Sequence, residues 1–272
     1  MSTATVPAPA EIGSFEAALR LARSSGRKLL VPYITGGLGT DWCDTVRAVA
    51  AAGADAIEIG IPFSDPVMDG PTIQRASDLA LRAGTTPQTV LDALRGVDAG
   101  VPLAVMTYAN IAFHAGWERF ASQLHDAGVT AAILPDLPLE ETGDWCRAAD
   151  AHDVETVLLA APTAPDERLP RVCARARGFV YAVGLLGVTG ARSSLAASAI
   201  VIARRLTQVT DKPVLVGVGI GSPAQAVEVC TAADGVVIGS VVVQCMLDGG
   251  GPEGVAALVR EYRAALDAAY AS

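Results

Sequence analysis

The feature that most constrains the fold of this chain is an eightfold alternation of short apolar runs with longer amphipathic stretches. Runs rich in Val, Ile and Leu are typical of buried strands, and the Ala-rich stretches between them have helical periodicity. The predicted strands begin near Leu29, Ala56, Pro102, Ala131, Glu155, Phe179, Val214 and Gly235. Successive starts are 27, 46, 29, 24, 24, 35 and 21 residues apart, close to the length of a strand–helix unit. Eight such units favour a closed (β/α)8 barrel over an open doubly wound sheet.

The 272 residues are predicted to form one α/β domain. A flexible tail at residues 1–13 would precede a barrel at residues 14–272, with an extra helix near 15–25 before the first strand. The two longest intervals place long loops after strands 2 and 6. Loops that follow barrel strands lie on the C-terminal face, where the active sites of such barrels are found.

Composition excludes several classes of function. A net charge of −9 without a basic cluster argues against nucleic acid as a partner. No apolar stretch is long enough to span a membrane and no signal peptide is recognisable, so we expect a cytoplasmic protein without a membrane partner. The five cysteines and three histidines are scattered, and their spacing predicts no metal site.

Glu58 is the charged residue within the second predicted strand. Because side chains alternate along a strand, Ile57, Ile59 and Ile61 would face the helices, and Glu58 would point into the barrel with Gly60. Desolvation raises the pKa of such a carboxyl toward the range useful for proton transfer. Glu58 is therefore a candidate general acid–base, and the alternative is a structural carboxylate paired with Arg or Lys.

The loop after this strand contains Asp65 and Asp69 among prolines and glycine. Each aspartate alone would fit a solvated turn, but a long loop at the catalytic face makes Asp69 a second candidate carboxylate. Aromatic residues lie at two of the predicted strands: Tyr108 comes after the third strand, and Phe179 and Tyr181 lie in the sixth. They either line a pocket for a flat, partly apolar ligand or fill the barrel.

Three glycine-rich segments suggest a phosphate site. They are Gly187–Gly190, Gly217–Pro223 and Gly239–Ser240, which follow the sixth, seventh and eighth strands. Glycine lets backbone N–H groups approach an anion, and a helix N-terminus adds its dipole. Their convergence on one rim of a barrel predicts a phosphorylated small molecule, and neither a dinucleotide fingerprint nor a Walker A motif is present.

The segment from Glu58 to Gln74, EIGIPFSDPVMDGPTIQ, resembles the signature of tryptophan synthase alpha subunits. The similarity continues through Met106–Asn110, Leu134–Pro138, Phe179–Tyr181, Gly187–Arg192, Val216–Ile220 and Gly239–Ser240, and it covers roughly residues 14 to 270. The resemblance implies a lyase of tryptophan biosynthesis that splits indole-3-glycerol phosphate into indole and glyceraldehyde 3-phosphate.

The same resemblance assigns roles to individual residues. It implies that Glu58 is the principal catalytic acid–base and Asp69 the second catalytic carboxylate. The implied substrate-binding residues are Tyr108, Phe179, Tyr181 and Thr189, and the implied phosphate-binding residues are Gly190, Gly219, Gly239 and Ser240. Thr189 would close over the site and meet Asp69, excluding water.

The resemblance further implies a beta subunit as partner, in an alpha-beta-beta-alpha tetramer. Pro62, Phe63 and Asp65 would face that subunit, which would hold pyridoxal phosphate, while this chain would need no cofactor. Three alternatives are a stand-alone lyase releasing free indole, a non-catalytic regulatory subunit, and a different phosphate-binding barrel such as an isomerase. The presence of both carboxylates argues against a regulatory subunit, and the uninterrupted signature argues against a different barrel. The stand-alone lyase stays open.

Overall fold

Eight parallel strands close into a barrel in the order in which they occur along the chain. The computed structural model describes residues 11–184, 192–217 and 219–271. The strands are β1 (Leu29–Thr35), β2 (Ile57–Gly60), β3 (Leu103–Met106), β4 (Val129–Ile133), β5 (Glu155–Ala160), β6 (Val180–Ala182), β7 (Val214–Val216) and β8 (Gly235–Ile238). Each begins within two residues of its predicted start, and the predicted (β/α)8 barrel is confirmed.

Helices surround the strands and close one end of the barrel. Within the described ranges they are α1 (Ser14–Ser24), α2 (Trp42–Ala51), α3 (Pro71–Arg82), α4 (Pro87–Leu94), α5 (Ala109–Ala115), α6 (Trp117–Asp126), α7 (Gly143–Ala151), α8 (Arg168–Arg175), α9 (Arg192–Thr207), α10 (Pro223–Val229), α11 (Ser240–Leu247) and α12 (Gly251–Tyr270). None of these helices is long and apolar enough to cross a membrane. Residues 1–10 of the predicted tail, and the predicted site residues Thr189 and Gly190, lie outside the described residues.

The strands separate two layers of apolar packing. Side chains on the outer face, including Ile57, Ile59 and Ile61 of the β2 region, pack in one cluster with the surrounding helices. The inner cluster includes Val31 of β1 and Ala104 of β3. Because a barrel strand is buried on both faces, its sequence is an almost continuous apolar run, and all seven residues of β1 are buried. Glu58 lies between two outward isoleucines, as alternation predicts.

Helix α1 covers the N-terminal end of the barrel. Its Phe15 ring stacks on Phe179 with a centroid distance of 6.1 Å. The Glu155 carboxylate at the start of β5 accepts the N–H groups of Phe15 at 2.6 Å and Glu16 at 3.2 Å, and it thereby satisfies amides that the first turn of a helix leaves free. This end of the barrel is closed, so a ligand enters from the opposite end.

Replacing Glu155 by alanine should lower the free energy of unfolding by about 2–3 kcal/mol, because two buried amides lose their acceptor. Urea unfolding followed by circular dichroism measures this loss. Glu228→Ala, at an exposed position on α10, is the matched control and should change stability by less than about 0.5 kcal/mol. Equal stability of the two variants would show that the α1 amides do not depend on Glu155.

Candidate active site

Glu58 lies on β2 with its side chain inside the barrel. Its register partners are Tyr33 on β1 and Ala104 on β3, and Ala104 pairs in turn with Ala131 on β4. The residue is 1% exposed. The inner residues at the neighbouring register positions of β3 and β4 are thus both alanines, the smallest side chains that could face the carboxyl.

The Glu58 carboxyl has no cation to neutralise it within the described residues. Its Oε2 atom is buried without a hydrogen-bond partner there, which is uncommon for a buried polar atom. Burial, and secondly the charge of Asp69, raise the pKa of Glu58 to about 8. The alternative of a structural ion pair therefore receives no support, and Glu58 keeps its proton at neutral pH.

Asp69 is held over the barrel by the loop between β2 and α3. Burial raises the pKa of this half-buried carboxyl to about 6, and an interaction with the Tyr108 hydroxyl opposes the shift. The Tyr108 hydroxyl also accepts a hydrogen bond from the Met68 N–H at 2.9 Å, and its ring stacks on Phe63 with a centroid distance of 4.9 Å. Tyr108 thus holds the loop that carries Asp69 through contacts with Met68 and Phe63.

Two further phenols approach the carboxyl groups from inside the barrel. A Cβ atom at Gly60 would lie 1.8 Å from the Tyr33 hydroxyl, and one at Gly217 would lie 2.0 Å from the Tyr181 hydroxyl. Only glycine allows these approaches. Burial, together with the charges of Glu58 and Asp69, raises the pKa of both phenols well above 10, so both remain neutral hydrogen-bond donors.

Tyr33 was missed by the sequence analysis, although a signal was present. It alternates with Leu29 and Val31, which belong to the inner cluster, so the same reasoning that turns Glu58 inward applies to it. Phe179 belongs to the same inner cluster as Tyr181. It is fully buried and packs between Phe15 and Tyr181. Phe179 thus lies beneath Tyr181, next to the helix that closes the N-terminal end of the barrel, and its role in substrate binding stays a prediction.

The helix N-termini after β7 and β8 differ in how their amides are used. At α10, Ser222 accepts from the Gln225 N–H at 3.3 Å and Gln225 Oε1 accepts from the Gly221 N–H at 2.8 Å. At α11, Gly239 is the N-cap and no described side chain caps the helix that begins at Ser240. Gly239 also lies against Tyr33, since a Cβ atom there would be 3.6 Å from the Tyr33 Cβ. The α11 N-terminus thus has no side-chain cap in the described structure and adjoins the base of Tyr33.

Gly219 lies in the turn before α10 and has a φ of +77°. Of the four predicted phosphate-binding residues, Gly219, Gly239 and Ser240 are thus described, and they follow neighbouring strands of the barrel. Gly190 lies outside the described residues, and so does Thr189.

The predicted partner-facing residues belong to the same loop as Asp69. Pro62 is buried, Phe63 is half-buried against Tyr108, and Asp65 is exposed. Two large apolar side chains near Tyr108 are exposed as well, Val67 by 78% and Phe113 by 68%. Val67 thus adds an exposed apolar side chain to the loop that is predicted to meet the partner.

The arrangement supports proton transfer between groups that are shielded from water. Between about pH 6 and 8, the pKa values of the two carboxyls leave Glu58 protonated and Asp69 ionised. An acid and an anion with separated pKa values are the pattern from which acid–base roles are assigned. A helix N-terminus on the same rim, without a side-chain cap in the described structure, can receive a phosphate.

The sequence matches the family model described as tryptophan synthase alpha chain over residues 19–267. Among curated relatives, the tryptophan synthase alpha chain of Streptomyces coelicolor is 44% identical over 89% of this chain and 93% of its own. That of Salinispora arenicola is 46% identical over 87% of this chain and 90% of its own.

Solved structures agree with the sequence matches. A Mycobacterium tuberculosis tryptophan synthase structure superposes with a TM-score of 0.85 at 37% identity, covering 94% of this chain and 99% of the other. The tryptophan synthase alpha chain of Legionella pneumophila subsp. pneumophila gives a TM-score of 0.82 at 30% identity, covering 94% and 98%.

Proposed function

Because this chain belongs to the tryptophan synthase alpha chain family, we propose that Glu58 and Asp69 carry out its lyase reaction. The reaction cleaves indole-3-glycerol phosphate into indole and glyceraldehyde 3-phosphate. The principal support for these roles is the Glu58 carboxyl, buried without a cation in the described structure and with its pKa raised to about 8. Such a group both delivers and recovers a proton near neutral pH.

Glu58 starts the reaction by protonating C3 of the indole ring. The ring becomes an iminium cation, and the ionised Asp69 stabilises the positive charge at the ring N–H. Glu58, now a carboxylate, takes the proton of the adjacent side-chain hydroxyl. The bond from C3 to the side chain breaks, its electron pair returns to the ring, and the hydroxyl carbon becomes the aldehyde. Glu58 leaves the cycle protonated, as it began.

The phosphate of the substrate is proposed to bind at the N-terminus of α11, at Gly239 and Ser240, with Gly219 on the neighbouring turn. The free amides there and the helix dipole favour an anion. Tyr33 separates this end from the carboxyl pair, because its Cβ faces Gly239 and its hydroxyl faces Gly60. A substrate with phosphate at one end and an indole ring at the other fits that separation.

Ser240→Asp tests the phosphate end. A carboxylate at the first helical position suits the helix dipole, so the fold should persist, while its charge repels the substrate phosphate. We expect KM to rise about 30-fold, with kcat changed by less than about threefold. Steady-state kinetics give both values. Ser222→Asp, at the capped α10 N-terminus, is the control, and an equal rise in KM for both variants would contradict the choice of α11.

As an alpha chain, this protein works with a beta subunit. We propose that the loop after β2 contributes to the contact through Pro62, Phe63 and Asp65, next to the exposed Val67. The proposed chemistry is acid–base throughout and calls for no cofactor in this chain, and pyridoxal phosphate would belong to the beta subunit. A cytoplasmic location is part of the same proposal.

The function is tested by measuring indole release from indole-3-glycerol phosphate by the purified chain, with and without a beta subunit. Slow release that increases on addition of the partner is the expected result. Fast release that the partner does not change would instead indicate an independent indole-forming lyase. No release under either condition would overturn the proposed assignment of the two carboxyls.

A further inference from the structure

Asp136 lies in the loop that follows β4, and the proposed reaction gives it no role so far. The strands β3 and β4 are paired up to Met106 and Ile133, and the Thr107 N–H then donates to the Ile133 carbonyl at 3.1 Å. The segments that leave these two strands are therefore neighbours at the catalytic face. Between them, the Asp136 carboxylate accepts a hydrogen bond from the Ala109 N–H at 2.8 Å. Asp136 thus joins the loop after β4 to the start of α5.

This hydrogen bond fixes the backbone next to Tyr108. Tyr108 is the N-cap residue of α5, and its own side chain does not cap the helix. Asp136 therefore supplies an acceptor for the first helical amide, and its charge suits the helix dipole. Because the Ala109 N–H belongs to the peptide that follows Tyr108, the bond to Asp136 holds the backbone from which the Tyr108 ring projects.

The Tyr108 ring in turn holds the loop that carries Asp69. Its hydroxyl accepts from the Met68 N–H at 2.9 Å, which leaves the hydroxyl proton for the carboxylate of the next residue. The hydroxyl lowers the pKa of Asp69 against the effect of burial, as a hydrogen bond donated to a carboxylate does. Two hydrogen bonds, of 2.8 and 2.9 Å, thus connect Asp136 to the Asp69 loop through Tyr108.

We propose that Asp136 is a positioning residue of this reaction, which holds Tyr108 in place and, through it, the Asp69 carboxylate. Its role rests on the proposed function, because it takes Asp69 as the second catalytic carboxyl. The other titratable groups that interact with Asp69 in the described structure project from β2, β1 and β6, and they are Glu58, Tyr33 and Tyr181. Asp136 therefore acts on Asp69 from the side of α5, through Tyr108.

The first test compares two substitutions of Asp136. Asp136→Ala removes the acceptor, and we expect kcat to fall about fivefold, with KM changed by less than about twofold. The acid limb of the pH–rate profile should also move to higher pH, because a displaced Tyr108 no longer donates to the ionised Asp69. Asp136→Asn keeps an oxygen that can accept from the Ala109 N–H, so its kcat and acid limb should match the wild type. Equal impairment of both variants would overturn the inference, because the charge and not the hydrogen bond would then matter.

Glu140→Ala is the matched control. Glu140 is an exposed carboxylate on the same connection after β4, and it accepts from Arg168 on α8 at 2.7 and 2.8 Å. The substitution removes a hydrogen-bonded carboxylate but leaves the bond to α5, so kcat and the acid limb should stay at their wild-type values. All kinetics are measured well below the melting temperature of each variant, so that unfolded protein does not contribute. The same kcat and acid limb in Asp136→Ala and Glu140→Ala would overturn the role of Asp136.

The second test repeats Asp136→Ala in a Tyr108→Phe background. Without the hydroxyl, the ring no longer holds Met68 or Asp69, so the additional loss in kcat should be less than about twofold. A fivefold loss in both backgrounds would overturn the inference and show that Asp136 acts by another route, such as the stability of α5.

Asp69→Asn separates this inference from the proposed function. If that variant retains wild-type activity, the proposed role of Asp69 is wrong and the role of Asp136 is wrong with it. If it is impaired while Asp136→Ala behaves as the wild type, only the role of Asp136 is overturned.

Discussion

Glu58→Gln is expected to lower the rate of indole formation about a thousandfold or more. The amide has the shape of the carboxyl but can neither deliver the proton to indole C3 nor accept the one from the hydroxyl, so both proton transfers are lost. Single-turnover measurements with indole-3-glycerol phosphate would give the rate of the chemical step. Retention of more than about a tenth of wild-type turnover, a loss of under about 1.4 kcal/mol in the barrier, would contradict the assigned role.

The same variant distinguishes a functional Glu58 from a structural one through its stability. The pKa of Glu58 is about 8 in the folded chain and about 4.3 when unfolded, so the folded state binds the proton more tightly. The protonated carboxyl contributes its full stabilisation when the pH is below the pKa of the unfolded chain. As the pH rises from there to about 8, the free energy of unfolding falls by at most roughly 1.4 kcal/mol per pH unit. Glutamine does not ionise, so Glu58→Gln should melt at a higher temperature than the wild type at pH 9. A lower melting temperature there would indicate that the ionised Glu58 has a stabilising cationic partner.

Much of this site could be predicted because its residues depend on alternation along one strand. The inward direction of Glu58 follows from its place between Ile57 and Ile59, and a closed barrel brings the loop of Asp69 to the rim. Alternation specifies a face of the strand but says nothing about height along the barrel axis. Phe179 and Tyr181 share a face, yet α1 fills the barrel beneath Tyr181 and contacts Phe179. That contact is a tertiary one, and the strand sequence does not contain it.

The helix termini show a local signal that the sequence analysis did not use. The segment from Ser222 to Gln225 has the S-x-x-Q pattern of a capping box, and in the structure both side chains accept hydrogen bonds at the start of α10. Gly239 and Ser240 lack that pattern, and α11 is uncapped within the described residues. The capping pattern therefore distinguishes the glycine-rich turn before α10 from the one before α11. The anchoring of the Asp69 loop by Tyr108, in contrast, joins residues 40 positions apart and has no local signature.

Asp69→Asn is expected to reduce kcat/KM about a hundredfold or more, because the iminium charge loses its anionic partner at a site that is shielded from water. The wild-type pH profile should be bell-shaped. Activity rises as Asp69 ionises, through its pKa of about 6, and falls as Glu58 loses its proton, through its pKa of about 8. Asparagine cannot titrate, so the acid limb should disappear from the residual activity. The alkaline limb should move to lower pH, because the charge of Asp69 is one of the causes that raise the pKa of Glu58.

These two changes in the profile are linked, since one carboxylate is responsible for both. Measuring kcat/KM for wild type and variant between pH 5 and 10 in buffers of constant ionic strength would show them together. Asp65→Asn, on the same loop but exposed, is the matched control, and in the isolated chain both of its limbs should match the wild type. An acid limb that stays near pH 6 in Asp69→Asn would assign that ionisation to another group. An alkaline limb that stays near pH 8 would mean that burial alone raises the pKa of Glu58, and that the two carboxyls act without sensing each other's charge.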